Sequence, residues 1–596
     1  MYPPDRGPIV RRPGRFDDGA PARNRRSARR SGRPRPARGD GRSAPRYPAA
    51  IGGTRPSVRP ALPLPPTNPD FPAKGTRLHR VAAGSEPPAP GLDARREAYA
   101  RLAAELGFQG YPETFTAARA RRREVEIYSG PPNSGKTHSA FDRLADAASG
   151  AYLAPLRLLA LEGRDRLQAR GVACSLLTGE ESVPAAGARV VSSTVEMVDT
   201  RTPVELAVVD EAQMLFDADR GWAWTQAIVG VPASALVVIC APHAVDAVRR
   251  LFETCGESPV LREFERKQHV ELLKSPVALA ALKTGDAVVA FSRRDVLMLR
   301  DRIAETQQRA VSVIYGALPP EVRRREAERF ADGSSEVLVA TDAIGMGLNL
   351  PIRRVLFSTL RKFDGTTERE LDVAEVHQIA GRAGRYGLHE EGHVGVLREA
   401  EPDALRVLQW RLAATPKAPA GFKARVAPNR RHVETIAGRL GIDGLAQVLQ
   451  VFMQRLALDS SHFEVAALAP MLALAEHLDR VASALALHLR FVYAQAPVDP
   501  DAPRQLDACL RWAANHAREG SAGAPAFVGE FDAARRLDRM EEALRLCSLW
   551  LWLDLRFPGV YGHVDEVAEL RQRLNEGIER QLKSRRPLWA IRRRGR

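Results

Sequence analysis

Short apolar runs recur between residues 125 and 241, each separated from the next by a segment long enough for one helix. They are "VEIYSG" (125–130), "AYLAPL" (151–156), "ARVVSST" (188–194), "LAVVDEA" (206–212) and "ALVVICA" (235–241). A second series follows: "DAVVAFS" (286–292), "AVSVIYG" (310–316), "EVLVATD" (336–342), "RRVLFST" (353–359) and "GHVGVL" (392–397). Strands apolar on both faces and alternating with helices predict parallel sheets covered on each side. The chain therefore reads as α/β, with two such sheets in tandem. Ahead of them, "LDARREAYARLAAELGF" from residue 92 has helical spacing. After about residue 415 the strand-like runs thin out. "GLAQVLQVFMQRLAL" and "MEEALRLCSLWLWLDLRF" repeat at helical spacing and are rich in helix formers. This third region is expected to be mainly helical, with its Leu, Met and Trp stripes in the core.

These shifts set the expected organisation. An Arg/Pro/Gly-rich tail covers 1–90, a helical lead-in 91–121, a first sheet domain 122–265 and a second 266–415. A helical region spans 416–582 and a basic tail 583–596. Residues 1–60 hold sixteen Arg against four Asp, and residues 583–596 hold seven basic residues and no acid. The formal charge of +16 thus belongs to the two ends, and the middle is close to neutral. The N-terminal tail has too few large apolar side chains to offset its chain entropy and is expected to be disordered. It is either a solvated tail or an electrostatic tether that holds phosphate backbones without reading sequence. Five scattered cysteines show no metal-ligand spacing and read as reduced thiols. No apolar run reaches the roughly 18 residues that span a bilayer, so no membrane role is expected. The Ala/Arg/Gly-rich composition suits a bacterial cytoplasm. The Arg-rich, acid-poor start leaves a mitochondrial matrix address as the alternative.

The first apolar run leads straight into "GPPNSGKTH", with the helical "SAFDRLADAA" after it. Gly130, Pro131, Pro132, Asn133, Ser134, Gly135, Lys136 and Thr137 make a P-loop in its required strand–loop–helix setting. Backbone N–H groups of such a loop cradle phosphate, helped by the positive end of the following helix. Lys136 would reach the β- and γ-phosphates of ATP, and the Thr137 hydroxyl would bind Mg2+. At the end of another strand, "LAVVDEAQ" supplies a second carboxylate site. Asp210 would hold the magnesium, directly or through water, and Glu211 would orient or deprotonate the attacking water.

"HQIAGRAGR" (377–385) sets two arginines in a frame of small residues, more than two hundred positions beyond the P-loop. Negative charge builds on the γ-phosphate during transfer, and an arginine supplied from outside stabilises it. Arg382 and Arg385 are therefore expected to project from the second sheet onto ATP bound at Lys136. Gln378 would position phosphate or water, and Gly381 and Gly384 would leave room for close approach. His138, His243 and His377 flank these motifs and read as packed or solvated, not catalytic.

P-loop, D-E-x-x and Q-x-x-G-R-x-G-R in this order resemble a superfamily 2 helicase. More narrowly, "SGPPNSGKTHSA", "LLTGEE", "SSTVEMV", "DEAQ", "IYGALPP", "VLVATDAIGMGLNLPIRRVLFST" and "QIAGRAGR" resemble the SUV-type RNA helicase of the mitochondrial degradosome and its bacterial relatives. The resemblance implies two RecA-like domains and a helical C-terminal region. It also implies ATP-driven 3′→5′ translocation, with single-stranded and duplex RNA as partners, DNA or hybrids as further substrates, and an exoribonuclease partner. By match, Thr194, Glu196, Gln213, Ser292, Thr341, Asp342, Gly345, Gly347 and Asn349 would contact the strand or couple it to ATP. Motif III, often S-A-T in the superfamily, is here "CAPHA" (240–244), so its coupling role does not carry over. Two other readings stand beside this one: a DNA translocase on the same scaffold, and a non-enzymatic RNA-binding adaptor. The intact Lys136, Asp210, Glu211, Arg382 and Arg385 argue against an inert adaptor.

Overall fold

The computed structural model describes residues 110–266, 270–345, 350–364, 367–384, 391–455, 461–499, 502–531 and 536–583. These all belong to one compact unit, Pro88–Arg596. The expected N-terminal tail, the lead-in before residue 110 and the basic tail beyond Lys583 lie outside the described residues.

Eight strands form the first sheet: β1 (Glu124–Ser129), β2 (Gly150–Ala154), β3 (Cys174–Leu177), β4 (Ser182–Val183), β5 (Val190–Thr194), β6 (Val204–Val209), β7 (Ala233–Cys240) and β8 (Val260–Glu263). Their order is β4-β3-β5-β2-β6-β7-β1-β8, parallel except for the short β4. The apolar runs became β1, β2, β5, β6 and β7, which are largely buried. Strands β3, β4 and β8 were not anticipated. In β8 every residue is exposed, so it offers no apolar run to read.

The second sheet contains β9 (Val270–Leu272), β10 (Asp286–Val289), β11 (Val311–Ile314), β12 (Val337–Ala340), β13 (Arg354–Phe357) and, after a small hairpin of β14 (Arg361–Phe363) and β15 (Glu368–Glu370), β16 (Gly392–Val396). Its order is β11-β12-β10-β13-β16-β9, parallel throughout. β10, β11 and β12 are buried at every position, as strands covered on both faces must be. The buried Asp286 in β10 is tolerated because Arg354 of β13 donates to it at 2.7 Å. These are two RecA-like parallel-sheet domains.

The rest is mainly helical, with one small parallel pair, β17 (Ala424–Val426) and β18 (Phe463–Val465). Its last two helices, Leu537–Arg556 and Val564–Lys583, pack on each other and reach both sheet domains. Glu541 accepts from Arg293 and from the Tyr315 hydroxyl of the second domain. Arg556 donates to the Gly179 carbonyl of the first.

Candidate functional site

β1 ends at Ser129, and the loop behind it turns through two left-handed residues, Asn133 (φ 61°) and Gly135 (φ 93°). The helix Lys136–Asp146 starts at that glycine, so its positive end faces the loop. Gly130 is needed for a different reason. A Cβ there would lie 2.3 Å from the Phe264 carbonyl oxygen. The Lys136 ammonium folds over the loop and donates to the carbonyls of Gly130 (2.6 Å) and Pro131 (2.8 Å) and to the Ser134 hydroxyl (3.3 Å). Burial pulls its pKa down, opposed by the nearby Glu211 and Asp210.

Asp210 follows β6 and is buried. The Tyr152 hydroxyl donates to its carboxylate at 2.8 Å, the Glu211 N–H at 2.9 Å and the Thr137 hydroxyl at 3.5 Å. Burial, and then the neighbouring Glu211, push its pKa up to about 6 in spite of those bonds. Paired carboxylates in a dry site, with a hydroxyl beside one of them, make an oxygen donor set that suits a hard divalent cation. Thr137 and Asp210 therefore fit magnesium. Glu211 adopts a left-handed conformation (φ 52°). Its carboxylate accepts from the Gln213 amide, and the Gln213 carbonyl accepts from the Ala241 N–H at 3.0 Å. Gln213 thus ties the acid pair to the backbone of the divergent "CAPHA" segment.

The second domain supplies the facing wall. The helix Val373–Ala380 opens with a capping box between Asp372 and Glu375 and ends at Gly381. Arg382 follows, with its side chain only 10% exposed and its guanidinium 3.7 Å from the Glu211 carboxylate. It also donates to the Gly345 carbonyl at 3.0 Å. Burial lowers its pKa, opposed by Glu211 and Asp210. The backbone approach is close: the Asn133 amide donates to the Gly381 carbonyl at 3.1 Å. A Cβ on Gly381 would meet the Pro132 ring at 2.8 Å. Gln378 lies on the same helix, with its side chain against Gly345. Arg385, Gly347 and Asn349 lie outside the described residues.

The residues expected to touch nucleic acid are arranged less simply. Thr194 ends β5 and is nearly buried. The Glu196 carboxylate is engaged by Arg220 at 2.6 Å. The Thr341 hydroxyl accepts from the Ala343 N–H at 3.3 Å, and Asp342 pairs with Lys362 at 3.5 Å. Ser292 stands between a strand and a helix. It is the N-cap of the helix Arg293–Gln307, accepting from the Asp295 N–H and donating to the Asp295 carboxylate at 2.6 Å. Its hydroxyl is spent on the cap, because a serine between a strand and a helix satisfies the orphan N–H groups there. The histidines are packed or solvated: His138 pairs with Asp142 on the surface, His243 stacks on Phe216, and His377 bonds the Ala414 carbonyl at 3.0 Å.

Three residues went unread in the sequence. Tyr152 and Trp224 both hold Asp210, and Arg266 donates to the Ala383 carbonyl at 2.8 Å. Tyr152 carried a signal, a hydroxyl inside an apolar strand run. Arg266 offered none beyond its place between the two sheets.

Comparison with known proteins now adds to this geometry. Residues 112–264 match the DEXQ-box helicase domain of Suv3, residues 269–387 the helicase conserved C-terminal domain, and residues 537–584 the ATP-dependent RNA helicase SUV3 C-terminal domain. The chain is 37% identical over 452 residues to the mitochondrial ATP-dependent RNA helicase SUV3 of Oryza sativa subsp. japonica, covering 74% of this chain and 77% of that protein. It is 33% identical over 489 residues to the mitochondrial ATP-dependent RNA helicase SUPV3L1 of Homo sapiens, covering 78% of this chain and 62% of that one. Among solved structures, the Escherichia coli DEAH/RHA helicase HrpB matches at 17% identity with a TM-score of 0.45, over 83% of this chain and 61% of that one. That likeness is too shallow to add weight. The family profiles and the length of the sequence matches are sufficient: the chain belongs to the SUV3 family of ATP-dependent RNA helicases.

Proposed function

We propose that this chain hydrolyses ATP at the seam between its two sheet domains and uses the cycle of closure and reopening to move 3′→5′ along single-stranded RNA, opening RNA duplexes as it goes. DNA and hybrids would be further substrates. One observation carries the reading: Arg382 of the second domain stands 3.7 Å from Glu211 of the first, with Gly381 against the P-loop.

The residues divide the work. The loop N–H groups and the Lys136 ammonium hold the β- and γ-phosphates. Thr137 and Asp210 would hold Mg2+, which when bound neutralises phosphate charge. Glu211, oriented by Gln213, takes the proton of the attacking water. Arg382 stabilises the charge that grows on the transferred phosphoryl group. Because Arg382 and Lys136 lie on different domains, the site is complete only when the domains close, which links hydrolysis to movement. Thr194, Glu196, Thr341 and Asp342 stand near the strand ends where a nucleic-acid backbone would run.

The names of the relatives place those proteins in mitochondria, which supports the matrix alternative and lends nothing to a bacterial cytoplasm. An exoribonuclease partner is consistent with the family. The test is strand displacement on a duplex with a 3′ single-stranded overhang, run with ATP, with ADP and without nucleotide. Unwinding that requires ATP and the 3′ overhang supports the reading; unwinding indifferent to ATP removes it.

A further inference from the structure

A second set of contacts reaches the acid pair from the other side of Asp210 than the Gln213 link to "CAPHA". Trp224 is fully buried, and its indole N–H donates to the Asp210 carbonyl at 2.9 Å. One turn earlier on the same helix, the Arg220 guanidinium lies over the Trp224 ring, 5.4 Å from its centroid. Positions four apart on a helix share a face, so the two side chains belong together. Arg220 uses its remaining donors on two other elements. It donates to the Pro155 carbonyl, just after β2, at 2.6 Å and to the Glu196 carboxylate, just after β5, at 2.6 Å.

In the sheet, β2 lies between β5 and β6, the strand that delivers Asp210. One arginine therefore fastens the ends of two strands and leans on the tryptophan that holds the end of the third. A planar guanidinium, with its donors in a fixed fork, can span a carbonyl and a carboxylate at once; a lysine cannot. The position is set locally: the Asp217 carboxylate accepts from the Arg220 N–H at 2.8 Å and fixes the start of this helix.

We infer that Arg220 is a positioning residue that transmits strand occupancy from the ends of β2 and β5, through Trp224, to Asp210. The inference rests on the proposed function, in which those strand ends face RNA. A backbone phosphate settling there repels the Glu196 carboxylate or shifts Pro155. The guanidinium follows, and the indole moves the Asp210 carbonyl with it. The relay is a continuous chain of contacts that ends in a buried indole N–H donating to Asp210.

The experiment uses the full chain with Arg220→Gln and Arg220→Lys. ATPase rates are measured with and without a single-stranded oligouridylate, and binding of the same fluorescein-labelled oligonucleotide is followed by anisotropy. Arg220→Gln is expected to keep the basal rate and the RNA affinity and to lose about five- to tenfold in RNA stimulation, the usual size of coupling between sites. Arg220→Lys, which keeps the charge without the fork, should recover little of that stimulation. Stimulation equal to wild type in Arg220→Gln overturns the inference. So does a parallel loss of RNA affinity, which would make Arg220 part of the strand surface, or a loss of basal rate, which would make it structural. If the wild type itself shows no RNA stimulation, the proposed function fails instead.

Discussion

Arg382 has two separable features, its charge and its reach. Its guanidinium sits beside Glu211 and on the Gly345 carbonyl, with almost no exposed surface. Arg382→Ala should lower the RNA-stimulated kcat by about a thousandfold or more while leaving the KM for ATP within a few-fold, the signature of an arginine acting on the transition state. Arg382→Lys should recover little, since a lysine cannot make the same planar contacts. Steady-state ATPase assays check both. The neighbouring Gly381 tests reach alone. Gly381→Ala places a methyl 2.8 Å from Pro132 and should prise the seam apart, lowering kcat with Arg382 still present. Turnover equal to wild type in Gly381→Ala would show that the seam need not close this tightly. At this scale the placement of residues with a fixed local signature was legible. Lys136, Thr137, Asp210, Glu211 and Arg382 all stand at the seam. Ser292 also serves as a helix cap, a role not read from its place in the sequence.

Elements were legible where both faces are buried. β12 is apolar throughout and β10 is apolar after Asp286, so their runs stood out. β8 and the β14–β15 hairpin are exposed and charged, and only pairing with neighbours makes them strands. Helix starts carry their own chemistry. The helix Arg430–Leu440 begins with a reciprocal cap: the His432 N–H donates to the Asn429 side chain at 3.0 Å, and the Asn429 N–H donates to His432 Nδ1 at 3.1 Å. An accepting Nδ1 must be unprotonated. Burial, with Arg431 nearby, pulls the His432 pKa down to about 4. The unfolded histidine titrates near 6.5, so the stability held by the neutral ring is complete above that pH. It is lost as pH falls from about 6.5 to 4, up to about 3 kcal/mol in all. Urea unfolding followed across that window should show the slope. His432→Gln keeps a side chain that can complete the cap and should flatten it. An unchanged slope would assign the acid sensitivity to other groups.

The whole molecule is joined at a cluster of opposite charges to which all three regions contribute. Arg157, after β2, pairs with Glu180 and Glu181 of the first domain and with Glu321 of the second at 3.0 Å. Arg571 of the last helix pairs with the same Glu321 at 2.7 Å and lies 3.5 Å from Glu180, which also accepts from Ser548. Burial alone would raise the Glu321 pKa; Arg157 and Arg571 outweigh it and hold the carboxyl below its usual range. No periodicity announces such a junction, because Glu321 and Arg571 lie far along the chain from Arg157 and each reads alone as a surface charge. Glu321→Gln removes a carboxylate through which the second domain pairs with both neighbours. The side chains are half-shielded, so the expected loss lies between that of a surface pair and a buried one, about 1–2 kcal/mol. Raising the salt from about 0.05 to 0.5 M should close only part of the gap, since screening is weak where water is partly excluded. The functional consequence follows from geometry. Arg382 reaches Glu211 only if the second domain is held against the first, so a looser junction should lower RNA-stimulated turnover while nucleotide affinity, set by the P-loop, persists. Denaturation at the two salt concentrations, with ATPase rates on the same samples, decides the matter. Equal stability and equal turnover would mean that the apolar packing of the last two helices holds the domains together without these charges.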